Sequence, residues 1–305
     1  MDTIHVALCI DEHYTQHAGV TIASILYNKK SRNPVVFHII NDDISPEGYD
    51  KLKQIVDKYG ETIFSHTVDS SEFDKLPVSN HLSKAAYYRL IITEILPPAI
   101  GKVLYLDVDL IVRDDITELW NTDISTEYAA AVQDLGIESK GIYLRKTLNM
   151  PEKEPYFNSG VLLINLNKWR DDSIGSKVLN FIKDNTSKVI YPDQDGLNAT
   201  LVGHWVSLHP KWNVYRVVFR KYYKWKERKK LSTTFLQAAK RPSIVHFTGP
   251  LKPWHDSCLM PYVKEYYFYL AITPWAGYQP PRATKHQLFR KYRQRLRRML
   301  VDLFN

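Results

Sequence analysis

The sequence predicts an α/β protein with a mostly parallel sheet and helices on both of its faces. Three observations carry this. Short apolar runs alternate with helix-patterned segments from the first residues onward, which is the pattern of strands joined by crossover helices. Apolar residues make up 44% of the chain and charged residues 24%, the balance of an ordinary globular core. The 305 residues hold only two cysteines, Cys9 and Cys258, so a buried core rather than a disulfide framework must hold the fold.

The elements follow in order. Residues 6–10 form an apolar run that reads as a buried strand, and 13–29 read as a helix with Val20, Ala23, Ile25 and Leu26 inward. Residues 35–40 are a second strand. Ser45 and Pro46 open a helix, since serine caps the first turn and proline tolerates it. Leu52, Ile55, Val56 and Tyr59 give that helix its stripe. Residues 62–68 read as a third strand, 69–82 as a loop, 83–95 as a helix and 103–106 as a strand. Residues 128–132 are another strand leading to Asp134, and 157–166 an apolar run interrupted by Asn158, Ser159 and Gly160. Asp193, Gln194 and Asp195 open a short helix ending near Leu201, and 243–247 form a last strand. In such sheets ligands bind beyond the carboxyl ends of the strands. Asp107, Asp109, Asp134 and His246 are all expected there.

Charge separates the chain into two parts. From Arg282 to Asn305 eight Lys or Arg face one acid, a net +7 of the total +8. The remainder, with 33 basic and 32 acidic side chains, is nearly neutral. Composition therefore assigns any anionic partner to the tail. The first ten residues lack a basic segment and run into a strand, so no signal peptide is expected. No apolar stretch approaches the ~20 residues that span a bilayer.

The segment 102–111 carries the chemistry. An apolar run ends in Asp107 and Asp109, then resumes as Leu110, Ile111 and Val112. On a strand these two carboxylates project the same way while Val108 points back. Like charges side by side repel unless a cation lies between them, so a divalent metal site is expected. A solvated pair in a turn is the alternative.

Five segments then act together: Asp11-Glu-His-Tyr14, Ala85–Leu90, Leu104–Asp109, Tyr156–Asn165 with Asp193–Asp195, and His246–Trp254. The set resembles glycosyltransferase family 8, closest to its bacterial lipopolysaccharide α-galactosyl- and glucosyltransferase branch, over residues 4 to 270. The resemblance implies a Rossmann-like nucleotide-diphosphosugar transferase fold. It implies transfer of a hexose from UDP-galactose or UDP-glucose to a glycan or glycolipid hydroxyl with retained anomeric configuration. It also implies site roles. Asp107, Asp109 and His246 would hold Mn²⁺, with Mg²⁺ possible; alone, His246 reads as a satisfied histidine at a strand end. Asp11, Tyr14, Val108, Gly249 and Lys252 would bind the nucleotide, Tyr14 stacking on the base. Glu12 and His13 depart from the commoner Asp-Asn pair between Asp11 and Tyr14. Arg89, Asn158, Asp193 and Gln194 would surround the donor sugar, with Gln194 and Asp193 nearest the reacting carbon. Gln194 is a poor nucleophile, which favours front-face substitution; Asp193 keeps a two-step route open. His81 and Asp134 match acceptor-facing positions.

Residues 212–230 combine aromatics with eight basic residues: Arg216, Arg220, Lys221, Lys224, Lys226, Arg228, Lys229 and Lys230. They are expected to shape acceptor choice, or else to form a solvated charged helix. In the tail, Phe289, Tyr292, Leu296, Met299 and Leu303 recur at helical spacing with the basic residues off that stripe. Residues 285–304 are thus expected to lie on an anionic membrane surface, after a transferase domain over 1–280. The expected location is the cytoplasmic face of the cell membrane, with no nucleic-acid partner. A self-glucosylating glycogenin-like primer is the alternative within the enzyme class. A catalytically idle adaptor bound to membrane or nucleic acid is the alternative outside it; the full set of site residues argues against idleness.

Overall fold

The computed structural model describes residues 2–74, 76–77, 84–138 and 141–280. Seven strands form the main sheet: β1 (Ile4–Ile10), β2 (Val35–Asn41), β3 (Thr62–Thr67), β4 (Lys102–Leu106), β6 (Ala129–Gln133), β7 (Phe157–Asn165) and β8 (Trp205–Ser207), in the order β3-β2-β1-β4-β7-β6-β8. β3, β2, β1 and β4 run parallel, as do β6 and β8. β7 alone opposes both of its neighbours. A second sheet has the order β5 (Leu110–Val112), β10 (Ile244–His246), β9 (Val214–Tyr215).

Strands buried on both faces need apolar residues throughout, which is why they read as continuous runs. Ile4, Val6, Leu8 and Ile10 of β1 pack against helices Thr15–Asn28 and Pro46–Asp57. Ala7 and Cys9 face the other way, where the short helix Ala85–Tyr88 packs on β1 within the second core cluster. The second sheet is covered by helices Arg216–Tyr222, Thr233–Lys240 and Val263–Leu270 through Val218, Phe235 and Tyr266. As expected, Ser45 caps the second helix, accepting from the Gly48 N–H at 3.0 Å.

Three expectations change. The helix predicted over 83–95 is broken into Ala85–Tyr88, a 3₁₀ turn Arg89–Ile91, and Ile92–Ile95. Close packing explains the break: helix Ile174–Asp184 presses on it so tightly that a Cβ on Gly175 would lie 1.9 Å from the Leu90 carbonyl oxygen. Asp107 and Asp109 do not share a strand face, because β4 ends at Leu106 and the chain bends before entering β5. His246 ends a strand of the second sheet, not the main one. His81 and the tail segment 285–304 lie outside the described residues. No helix among the described residues is long and apolar enough to cross a membrane.

Candidate functional site

The bend at 107–109 is fixed from both sides. The Asp107 N–H donates to the Gly160 carbonyl at 2.8 Å, and the Phe247 N–H donates to the Asp109 carbonyl at 2.8 Å. The Thr21 hydroxyl donates to the Leu110 carbonyl at 3.0 Å. The chain thereby passes from the large sheet to the small one, carrying its two carboxylates to the end of β10. His246 Nε2 lies 2.9 Å from Asp109 Oδ1 and 3.5 Å from Asp107 Oδ2.

The imidazole's orientation is set behind it. His246 Nδ1 lies 3.0 Å from Asn213 Oδ1, and Asn213 Nδ2 donates to Asn158 Oδ1 at 2.8 Å. Asn213 Oδ1 is therefore an acceptor, so Nδ1 carries the proton and the Nε2 lone pair faces the carboxylates. One ligand atom each from Asp107, Asp109 and His246 can lie within 4.8 Å of one another. Gly160 makes the room: a Cβ there would come within 2.2 Å of His246 Cε1 and 2.6 Å of Asp107 Oδ2. Two carboxylates and an outward lone pair around a space kept free of a side chain fit a divalent cation.

Each carboxylate has a cation of its own. Arg89, 4% exposed, donates to Asp107 Oδ1 at 2.9 Å and to the Ser159 carbonyl at 2.9 Å, with its plane over the Tyr105 ring. Tyr105 Oη donates to the same Asp107 oxygen at 2.7 Å. The Lys252 ammonium contacts Asp109 Oδ2 directly. Burial alone would raise the Asp109 carboxyl, but the Lys252 ammonium outweighs it and holds the group below the usual carboxylate range. Burial pulls the Lys252 ammonium down, and Asp109 lifts it above its ordinary value. Both directions keep the pair charged.

Next to this charged end lies a cluster of amides around one carboxylate. Asn158 Nδ2 donates to Asp134 Oδ2 at 3.2 Å and to Gln194 Oε1 at 3.1 Å. Gln194 Oε1 also accepts from the Ser159 N–H at 3.0 Å. Asp134 Oδ1 accepts from the Gly136 N–H at 2.7 Å and from the Tyr215 hydroxyl at 2.9 Å. The polar atoms of Asn158 are thus met by protein partners, as burial demands. Asp193 lies 3.5 Å from Arg89 and accepts from the Ser159 hydroxyl at 3.3 Å; burial raises its carboxyl, against Arg89. Asp195 instead faces the protein, taking the Tyr156 hydroxyl at 2.5 Å and the Ile190 and Tyr191 N–H groups.

A third group closes the other side. Asp11 Oδ1 accepts from the Tyr14 N–H at 3.2 Å, capping a turn at Glu12–Tyr14. The Tyr14 ring meets His17 and Trp254 edge-on, and those two rings stack 3.4 Å apart. Glu12 accepts from the Ser45 N–H at 2.7 Å, so this departure from the commoner pattern ties the loop to the second helix.

All three groups line one open cavity of about 640 Å³. Of the expected site residues, Asp11, Tyr14, Arg89, Asp107, Val108, Asp109, Asp134, Asn158, Asp193, Gln194, His246, Gly249 and Lys252 all line it. Sequence reasoning missed Asn213, Tyr215, Ser159 and Gly160 as working parts. The interruption of an apolar run by Asn-Ser-Gly was the visible signal for two of them. A lone Asn213 gave none.

The glycosyl transferase family 8 model matches residues 5–258. General stress protein A of Bacillus subtilis is 33% identical over 283 residues, covering 90% of this chain and 95% of that protein. A lipopolysaccharide 1,2-glucosyltransferase of Escherichia coli is 32% identical over 302 residues, covering 97% of this chain and 86% of that one. The crystal structure of the galactosyltransferase LgtC with donor and acceptor sugar analogs superposes with a TM-score of 0.79 at 24% identity, over 94% of this chain and 99% of that one. Family match, relatives and fold agree: the chain belongs to glycosyltransferase family 8 and is a hexosyltransferase.

Proposed function

We propose that this enzyme moves glucose or galactose from a UDP-sugar to a hydroxyl of a cell-surface glycan or glycolipid, with the anomeric configuration retained. One observation carries the reading. A cation-shaped group of two carboxylates and an imidazole opens into the same cavity as a cluster of amides suited to sugar hydroxyls. A bound divalent cation supplies Lewis-acid neutralisation of the diphosphate charge that grows as the glycosidic bond breaks. The mixed donor set favours Mn²⁺, with Mg²⁺ the harder alternative.

The chain's own residues do the positioning. Arg89 orients Asp107, and Lys252 holds Asp109 ionised, with both carboxylates turned towards His246. Asp11 and Tyr14 form the base-binding side, and Gly249 offers its backbone N–H to the diphosphate. Arg89, Asn158, Asp193 and Gln194 frame the donor sugar. Gln194 Oε1 is engaged by Ser159 and Asn158, which favours a front-face route over attack by that oxygen. Asp193 remains the carboxylate of a two-step route. Asp134 faces the acceptor.

Residues 1–280 form the transferase domain in this reading. The basic segment 285–304 attaches it to the inner face of the cell membrane, a pairing suited to a glycolipid acceptor. The glucosyltransferase relative supports the hexose and the surface glycan. The deciding experiment is UDP release from a panel of UDP-sugars, with Mn²⁺ and with EDTA. Slow release from UDP-glucose or UDP-galactose alone, stopped by EDTA, is the expected result. No Mn²⁺-dependent UDP binding at all would overturn the reading.

A further inference from the structure

Of the eight basic residues between 212 and 230, only Arg216 and Arg220 line the catalytic cavity. They stand one turn apart on helix Arg216–Tyr222, so their side chains share a face. Both are exposed. The next residue, Val217, packs over Gly136, where a Cβ would meet Val217 Cγ2 at 3.3 Å. This seats the helix beside the turn whose N–H groups Asp134 accepts. Arg216 reaches across to the strap after β10: its guanidinium lies 3.5 Å from where a Cβ on Gly249 would stand.

The charges in this cavity are otherwise accounted for. Arg89 holds Asp107 and Asp193, and Lys252 holds Asp109. Asp134 is filled by N–H, hydroxyl and amide donors. Among the described residues, Arg216 and Arg220 are the cationic side chains of the cavity wall that no carboxylate neutralises. Two guanidinium groups left bare on one face of a binding cleft suit a planar or tetrahedral oxyanion, which arginine binds in bidentate fashion.

We infer that the acceptor carries an anionic group, a phosphate or a carboxylate, and that Arg216 and Arg220 bind it. The helix that carries them packs through Val217 on the turn after Asp134, which puts that anion on the acceptor half of the cleft, next to the hydroxyl that receives the sugar. This rests on the donor reading above and adds the chemical class of the acceptor. It also divides the basic cluster: Lys224, Lys226 and Lys229 lie outside the cavity and take no part.

The test uses the full chain with UDP and Mn²⁺ filling the donor half. Binding of glucose, galactose and their 6-phosphates is then measured by calorimetry, for the wild type and for the R216Q/R220Q double variant. The expected result is at least about tenfold tighter binding of a sugar phosphate than of its parent sugar, lost in the double variant. UDP affinity should be the same in both proteins. Equal binding of sugar and sugar phosphate, or an advantage that survives in the double variant, would overturn the inference. So would a fall in UDP affinity in the double variant, which would assign the two arginines to the donor diphosphate. If the wild type binds no UDP with Mn²⁺, the donor reading itself fails and this inference falls with it.

Discussion

The two ends of the cleft are built on different physics. At the end formed by Asp107, Asp109 and His246, each carboxylate has its own cation. At the end formed by Asn158, Gln194, Asn213 and Asp134, two neutral amides donate to one carboxylate and a third, Asn213, donates to Asn158. The first arrangement tolerates burial only while its charges balance, because an uncompensated buried charge is costly. The second tolerates burial because each donor finds an acceptor. A charged end can attract a cation and hold it. An amide end can align hydroxyl groups without adding net charge. The shared piece is the link from His246 through Asn213 to Asn158, which couples the orientation of one end to the other.

The contrast can be broken most forcefully at Asp109. Asp109→Asn leaves Lys252 beside a neutral amide and removes a ligand. UDP release with Mn²⁺ is expected to fall on the order of a thousandfold, since metal stabilisation of the transition state is worth several kcal/mol. A rate within a few-fold of wild type would show that the charged end holds no catalytic metal. Gly160→Ala attacks the same end by shape alone, because the added methyl group meets His246 and Asp107. Mn²⁺ affinity, followed by electron paramagnetic resonance, should drop sharply, with about 1–3 kcal/mol lost from stability in urea unfolding.

Asn213→Ala probes the link between the ends. Loss of the acceptor behind His246 should weaken Mn²⁺ binding by roughly 10- to 100-fold, the range for residues that orient a metal ligand. Unchanged affinity would mean that the ring is held by packing alone. Gln194→Ala should separate the ends: turnover falls by about tenfold or more while Mn²⁺ affinity stays at its wild-type value. A parallel loss of both would merge the two ends into one unit.

The smallest effect lies far from the cleft. His5, His38 and His66 on β1, β2 and β3 form a chain of imidazoles with nitrogens 3.0 Å apart at each step. Burial pushes His38 down to about 3, with His5 and His66 adding to the shift. The unfolded chain therefore binds a proton that the folded chain refuses between about pH 6.5 and 3. Stability supplied by neutral His38 is present above that window and is lost as pH falls through it. In His38→Gln the slope of unfolding free energy against pH should be shallower there by up to about one proton. An unchanged slope would place the acid sensitivity elsewhere.

Much of this was readable before any coordinates. Strands buried on both faces must be apolar along their length, so β1, β2 and β4 declared themselves as runs. Serine at 45 before proline at 46 marked a helix start because capping is a local interaction. The site residues were readable for another reason. Carboxylates, amides and a histidine that interrupt apolar segments are expensive unless they are used, and Asp107, Asp109, Asn158 and His246 all do so. The tail's charge was equally plain, as charge needs no geometry to be counted.

Tertiary structure alone decided how these groups meet. The two aspartates face one imidazole because the chain leaves one sheet and enters another between them, an event that depends on pairing with β10 more than a hundred residues away. Asn213 matters only because β9 lies beside β10, and a single asparagine carries no pattern to announce it. Gly160 and Gly175 matter because other parts of the chain press against them. The break of the helix around Arg89 follows from the same pressure. Local sequence fixes what depends on neighbours in the chain: caps, strand burial and the kinds of chemistry present. Distances between groups far apart in sequence are set by packing, which belongs to the whole fold.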